Sequence, residues 1–243
     1  MPIGSHDGFA AADTGAGEIE RIRREYAARS RQIPAGFYDW QRTENQFLHA
    51  SAARACAKLL GEAGAFPLDR AEILDVGCGQ GGWLLEFLQW GATVARLHGA
   101  DLLPERIEYA RERLAGAELH CGDARELPWP DASFDLVSQF TMFSSILDPA
   151  VRQQVAGEML RVARRGGNIL WYDLRRSNPM RPVRGLGREE IQRLFPGCTI
   201  RFLNATLAPP LARRVAPHSW AAGFALESLS FATTHLAAVI TVS

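Results

Sequence analysis

An α/β fold is predicted by three observations. Short apolar segments alternate with helix-periodic ones between residues 71 and 173, which is the pattern of parallel βαβ units. A glycine-rich turn joins the first apolar segment to the helix after it, and a chain of 243 residues that is 47% hydrophobic and 22% charged can bury one large core.

Residues 1–16 are rich in Gly, Ala and Asp without periodicity and are expected to be disordered. From Glu18 the spacing of Ile19, Ile22 and Tyr26 predicts a helix to about Ser30, broken at Pro34 and Gly36. An aromatic elbow, Phe37–Trp40, follows, and Thr43 with Gln46 three residues on predicts a capping box opening a helix to about Leu60. Residues 17–62 therefore form a helical preface. The main pattern then starts with AEILDV (71–76), a helix through WLLEFLQW, and a second strand ARLHGAD (95–101). Pro104 suits the first turn of a helix through Leu114, with Gly116 as its stop. AELHCGD (117–123) and FDLVSQF (134–140) predict strands three and four. Asp148 and Pro149 form an N-cap and N1 pair for a helix ending at Arg165-Gly166-Gly167, and GNILWYD (167–173) is strand five. Beyond Gly187 come a short helix (188–195), a strand (198–207), a Pro- and Arg-containing insertion (208–232) with helix potential, and a β-branched run THLAAVITV (234–242). The insertion is too short for a domain, so 17–243 is one domain.

Several function classes are disfavoured. Basic and acidic residues both number 27, so no net field draws in nucleic acid or an anionic membrane, and neither partner is expected. Lys58 is the single lysine, which makes Schiff-base chemistry a poor fit. Cys56, Cys78, Cys121 and Cys198 are scattered, giving no zinc cage and no disulfide framework. With no apolar run of membrane-spanning length and no signal-peptide pattern, the expected location is cytoplasmic.

The sharpest motif is Asp75-Val76-Gly77-Cys78-Gly79-Gln80-Gly81-Gly82, between a strand and a helix. Through Gly77, Gly79 and Gly82 it matches the dinucleotide fingerprint. Asp75, however, would repel a pyrophosphate and favour a ligand carrying an ammonium. Asp101 ends strand two, where an acid can accept from both ribose hydroxyls, and Asp123 ends strand three, where an acid beside a backbone N–H can meet a base edge. Three acids ending successive strands suit a nucleoside joined to an amino acid.

On ILDVGCGQGG (73–82), GADLLPERIEYAR (99–111), CGDARELPWPDASFDLV (121–137) and MLRVARRGGNILWYD (159–173), the chain resembles a class I S-adenosylmethionine-dependent methyltransferase of small-molecule type. The resemblance spans about residues 71–175. It implies a doubly wound, Rossmann-like, seven-stranded sheet, mostly parallel with an antiparallel last strand, and an N-terminal helical lid. It further implies that Asp75, Gly77, Gly79 and Gly81, with Cys78 in the same loop, hold the methionine part of the cofactor. Asp101 and Leu102 would take the ribose, Asp123 and Ala124 the adenine, and Gln139 would face the sulfonium. The rival readings are a nicotinamide-dependent oxidoreductase and a non-catalytic scaffold of the same fold.

Methyl transfer from a sulfonium is an in-line displacement that needs a base only where the acceptor must lose a proton. Asp173, ending strand five, and His218, in the insertion, are the candidate bases. Tyr38 and Trp40 in the elbow, and Arg175 and Asn178 in an arginine-rich run, are candidate acceptor contacts, since guanidinium forks suit anionic or polyol groups. Gln139-Phe140-Thr141 and Asp173-Leu174-Arg175 stand where metal-dependent catechol-type relatives carry metal-binding acids, so no metal is expected. The expected reaction is O- or N-methylation of a small polar metabolite, such as a sugar or secondary metabolite, under a lid that includes Phe37–Trp40.

Overall fold

A computed structural model describes residues 14–32, 34, 36–37, 39–177 and 182–243. The expectations for residues 1–13, Tyr38, Asn178 and Arg181 lie outside the described residues. Helices α1 (Thr14–Gln32) and α2 (Thr43–Glu62) precede β1 (Ile73–Val76), α3 (Gly82–Gln89), β2 (Leu97–Asp101), α4 (Pro104–Arg113), β3 (Glu118–Cys121) and β4 (Phe134–Phe140). Then come α5 (Pro149–Val162), β5 (Ala163–Leu174), α6 (Arg188–Leu194), β6 (Thr199–Leu207), α7 (Pro209–Val215), α8 (Trp220–Glu227) and β7 (Thr233–Thr241).

The seven strands form one sheet in the order β3-β2-β1-β4-β5-β7-β6. β1 is fully buried and runs parallel to both β2 and β4, while β7 runs antiparallel between β5 and β6. The predicted class is thus the observed one. From β1 the chain winds outward to β3 and then returns to β4, so the β1/β4 border is the switch point outside whose carboxyl ends ligands bind. One sheet face packs Val76, Val137 and Trp171 against α5 and α6, and the other packs Ile73, Leu136 and Leu170 against α2, α3 and α4. The segment 208–232 folds as α7, α8 and a single turn at Ser230–Ala232. It closes on α2 at Gly223, where a Cβ would stand 2.7 Å from the Phe47 ring, so only glycine permits this approach.

Asp148 caps α5 as expected, its Oδ1 accepting from the Ala150 N–H at 2.7 Å. Three local expectations change. α1 starts at Thr14, inside the stretch expected to be disordered. Thr43 is the first residue of α2 rather than its cap; Gln46 donates from Nε2 to the Trp40 carbonyl and Asn45 from Nδ2 to those of Phe37 and Asp39, so amide side chains close the turn in place of a capping box. β5 starts at Ala163, before Gly166-Gly167, because the Gly166 N–H finds the Val242 carbonyl just past the end of β7 and pairing continues through the glycines.

Candidate active site

A pocket opens at the carboxyl ends of β1 to β4. Its floor is Gly77, Ala100, Asp101 and Gly122, its walls include Leu102, Asp123, Ala124 and Phe140, and its inner end is closed by Ile146, Val151 and Val155 beside α5. The glycine loop turns tightly because the Gly77 and Cys78 N–H groups both donate to the Ala100 carbonyl, at 2.7 and 3.0 Å. Gly77 has φ +76°, and a Cβ there would sit 2.9 Å from the Met142 sulfur, so any side chain would be strained and would fill the cradle.

Asp101 organises this floor. Its Oδ2 accepts from the Gly79 N–H at 2.9 Å and its Oδ1 from the Leu103 N–H at 3.0 Å, so one carboxylate locks the glycine loop to the loop after β2. Burial pushes its pKa up while those two N–H groups and Arg106 oppose the shift. Each oxygen keeps a second lone pair for a ligand hydroxyl. Asp123 is turned by the neighbouring Arg125, which donates its backbone N–H at 2.9 Å and pairs through its guanidinium at 2.8 Å.

The roof is α1. Ile19, Ile22 and Tyr26 line the pocket, and the Arg106 guanidinium lies 4.3 Å from the Tyr26 ring centroid. Glu18 fixes the helix there: its carboxylate accepts from the Leu147 and Asp148 N–H groups and pairs with Arg21 at 2.8 Å. Tyr26 Oη and Ser145 Oγ meet at 3.1 Å, tying the same helix to the same loop.

Next to the pocket stands an aromatic wall. Trp83, in the first turn of α3, stacks on Phe140 with centroids 3.7 Å apart. Phe140 leads to Tyr172, on which the His235 ring stacks at 4.8 Å. Burial lowers His235 to about 4, so this ring is neutral at pH 7. The Tyr172 hydroxyl meets Thr206 Oγ1 at 2.6 Å, anchoring the wall to β6.

Of the residues expected to contact a cofactor, Gly77, Asp101, Leu102, Asp123 and Ala124 line the pocket, whereas Asp75, Cys78, Gly79, Gly81 and Gln139 do not. Asp75 is buried beneath the loop, takes the Ser138 hydroxyl at 2.8 Å, and is pushed by burial up to about 8. Enclosed beneath the loop, its carboxyl does not line the pocket, where the resemblance has it meet the methionine part of the cofactor. Cys78 packs on Gly99. Gly79 gives its N–H to Asp101, and Gly81 caps α3 in a left-handed conformation that brings it against Leu114. Gln139 shapes the turn at 139–142: its Oε1 accepts from the Met142 N–H at 3.2 Å, which aims Thr141, at φ +56°, into the pocket.

The candidate bases also change. Asp173 is fully buried, with its oxygens taken by the Ser144 and Leu174 N–H groups at 3.0 and 2.7 Å. It holds the loop after β4 and is not in the lining of this pocket. His218 is exposed in the turn after α7 and is not part of the pocket lining. Arg175 turns back onto the Ser230 and Thr233 carbonyls. Trp40 stays 60% exposed against His49, and Phe37 lies under Arg213, so neither of these two rings lines the pocket. Ile19, Ile22, Tyr26, Arg106 and Thr141 escaped the sequence reading as site residues, although the apolar stripe of α1 was the available signal. Among the described residues, no group of three or more His, Cys, Asp or Glu side chains could hold a metal ion.

Residues 73–167 match the family described as methyltransferase domain. Among curated proteins, the chain is 35% identical over 132 residues to a fatty-acid O-methyltransferase of Mycolicibacterium smegmatis, covering 54% of this chain and 43% of that one. It is 32% identical over 111 residues to a demethylmenaquinone methyltransferase of Listeria monocytogenes, covering 44% and 46%. The chain thus spans about half the length, or less, of the curated relatives it matches. Among solved structures, a geranyl diphosphate C-methyltransferase of Streptomyces coelicolor, crystallised with Mg2+, geranyl diphosphate and S-adenosyl-L-homocysteine, superposes with a TM-score of 0.62 at 16% identity. That match covers 92% of this chain and 97% of the other, and it speaks for the fold.

Proposed function

We propose that this chain, whose residues 73–167 match a methyltransferase domain, is a class I S-adenosylmethionine-dependent methyltransferase that transfers a methyl group to a small-molecule acceptor held against the aromatic wall. The observation that carries this reading is Asp101: a buried carboxylate that clamps two loops yet keeps acceptor capacity toward a pocket bounded by the ends of three successive strands. The pocket fits the cofactor chemically. Gly77 leaves backbone where a Cβ would intrude, Asp101 offers its oxygens to a ribose diol, and Leu102, Ala124, Ile146 and Val151 offer apolar flanks to a flat base. When bound, S-adenosylmethionine supplies a methyl group made electrophilic by its sulfonium. The chain's own task is to orient the two partners and keep water out, and alignment of this kind contributes several kcal/mol, roughly, to a displacement. α1 roofs the pocket, and Phe140 lines it with Trp83 stacked on its ring.

A flat, apolar wall supports an acceptor with a substantial apolar or unsaturated part bearing the nucleophilic atom. The curated relatives named for fatty acids and demethylmenaquinone support the same direction. The sugar-like polar acceptor expected from the arginine run loses its main support, because Arg175 is engaged by carbonyls.

Calorimetry separates this reading from the oxidoreductase alternative: S-adenosylhomocysteine is expected to bind and NAD to leave no signal, and the reverse result would overturn it. The roof has its own test. Hydrogen exchange in α1 is expected to slow on addition of S-adenosylhomocysteine, more than in 209–232, because the helix is pinned by few contacts and opens locally at low cost. Equal slowing in both segments, or none in α1, would remove α1 from the site.

A further inference from the structure

The formal charge of zero conceals two oppositely charged parts. Residues 174–243 carry nine arginines against three glutamates, while residues 1–173 carry eighteen basic and twenty-four acidic residues. Of the three glutamates in the basic part, Glu190 is paired with Arg152 and Arg184, and Glu227 is buried against Arg54. The same part holds three of the six exposed large apolar side chains among the described residues: Phe231 at 74%, Leu229 at 43% and Leu211 at 37% exposure.

These three are brought together by the fold. The Ala208 N–H donates to the Ala232 carbonyl at 2.8 Å, joining the start of α7 to the turn that bears Phe231, and the Ala232 N–H closes that turn on the Leu229 carbonyl at 2.9 Å. Arg175 grips the turn from the other side through the Ser230 and Thr233 carbonyls, which brings the exposed Arg176 alongside. On α7, Arg214 follows Leu211 by three residues and so shares its outward face. The tip projects at the carboxyl ends of β5 and β6 and the start of β7, the edge of the sheet at which the pocket opens.

We propose that this arginine-flanked apolar tip docks the protein on an anionic lipid bilayer. Phe231, Leu229 and Leu211 enter the headgroup boundary, while Arg176 and Arg214 reach lipid phosphates with their long stems along the apolar surface. The acidic remainder of the chain is repelled by the same surface, so one orientation is selected, with the pocket mouth toward the lipid. Exposed arginines beside exposed apolar side chains match anionic headgroups above an acyl layer, and this complementarity favours lipid over a folded protein partner. The inference does not depend on the methyl-transfer reading.

The test is co-sedimentation of the full chain with phosphatidylcholine vesicles, with and without phosphatidylglycerol. Binding is expected only with the anionic vesicles and is expected to weaken as salt rises. The double variant Leu229→Ser/Phe231→Ser is expected to lower the partition coefficient at least about tenfold, because two large apolar side chains no longer enter the boundary. Arg176→Glu/Arg214→Glu is expected to abolish the preference for anionic vesicles. Both variants should bind S-adenosylhomocysteine as the parent does, which verifies the fold. Failure of the parent chain to sediment with anionic vesicles would overturn the proposal, as would undiminished binding by the variants. So would a parent dimer that Leu229→Ser/Phe231→Ser converts to monomer in ultracentrifugation, since the tip would then belong to a second copy of the chain.

Discussion

Replacing Asp101 by alanine is expected to weaken S-adenosylhomocysteine binding by at least about a hundredfold. Two effects combine. The ligand loses hydrogen bonds to a charged acceptor, each worth roughly 1.5–3 kcal/mol, and the Gly79 and Leu103 N–H groups lose the carboxylate that holds the two loops together. Three kcal/mol is roughly a hundredfold in affinity. Asp101→Asn should lose nearly as much, because an amide can present only one oxygen and would turn an NH2 toward one of the two N–H donors. Calorimetry on variants with a cooperative thermal transition measures the effect, and unchanged affinity would take Asp101 out of the site.

Asp75→Asn is expected to leave cofactor affinity within a few fold of the parent while changing how stability depends on pH. Burial raises the Asp75 carboxyl to about 8, with Ser138 opposing the shift and Asp101 adding to it. A carboxyl raised by folding binds its proton more tightly in the native chain than in the unfolded one, whose value is about 4. Its contribution to stability is therefore fully present below about pH 4 and is lost as pH climbs toward 8. Asparagine keeps an oxygen for the Ser138 hydroxyl and carries no charge to bury. Asp173, raised to about 6, tilts both proteins in the same direction over the lower part of that range. The variant should match the parent near pH 4 and exceed it in urea midpoint at pH 8. A stability difference independent of pH would show that Asp75 is ionised in the fold, and a large loss of cofactor affinity would return it to the site.

Asp75 and Asp101 illustrate what the sequence discloses. Both are acids near strand ends and two residues from a glycine, and alternation of strands and helices placed both strands within a few residues. Their environments differ because Asp75 pairs in register with Gly99 and Ser138 inside the sheet, whereas Asp101 stands at the last position of β2. Asp75 is level with Gly99, two residues before Asp101, and that offset, set by neighbours from strands far apart in the chain, decides which acid lines the pocket. Other details lay out of reach for the same reason. The apolar stripe of α1 was legible, but its place over the pocket depends on Glu18 meeting the Leu147 and Asp148 N–H groups some 130 residues on. Arg175 was read as free to meet a substrate, and its partners lie at Ser230 and Thr233. The aromatic wall draws on Trp83, Phe140, Tyr172 and His235, one residue from each of four elements, so no local window contains it.

The position of β7 bears on how the chain is made. β6 reaches the rest of the sheet only through β7, which follows it in the chain. Until it arrives, the nascent polypeptide displays two unpaired edges, on β5 and on β6, and such edges invite misassembly. β1 to β5 can pair as they are synthesised, so the cofactor cradle can mature before the final hairpin-like insertion is complete. The helices between β6 and β7 keep the two strands apart in sequence, which raises the contact order of this edge of the sheet.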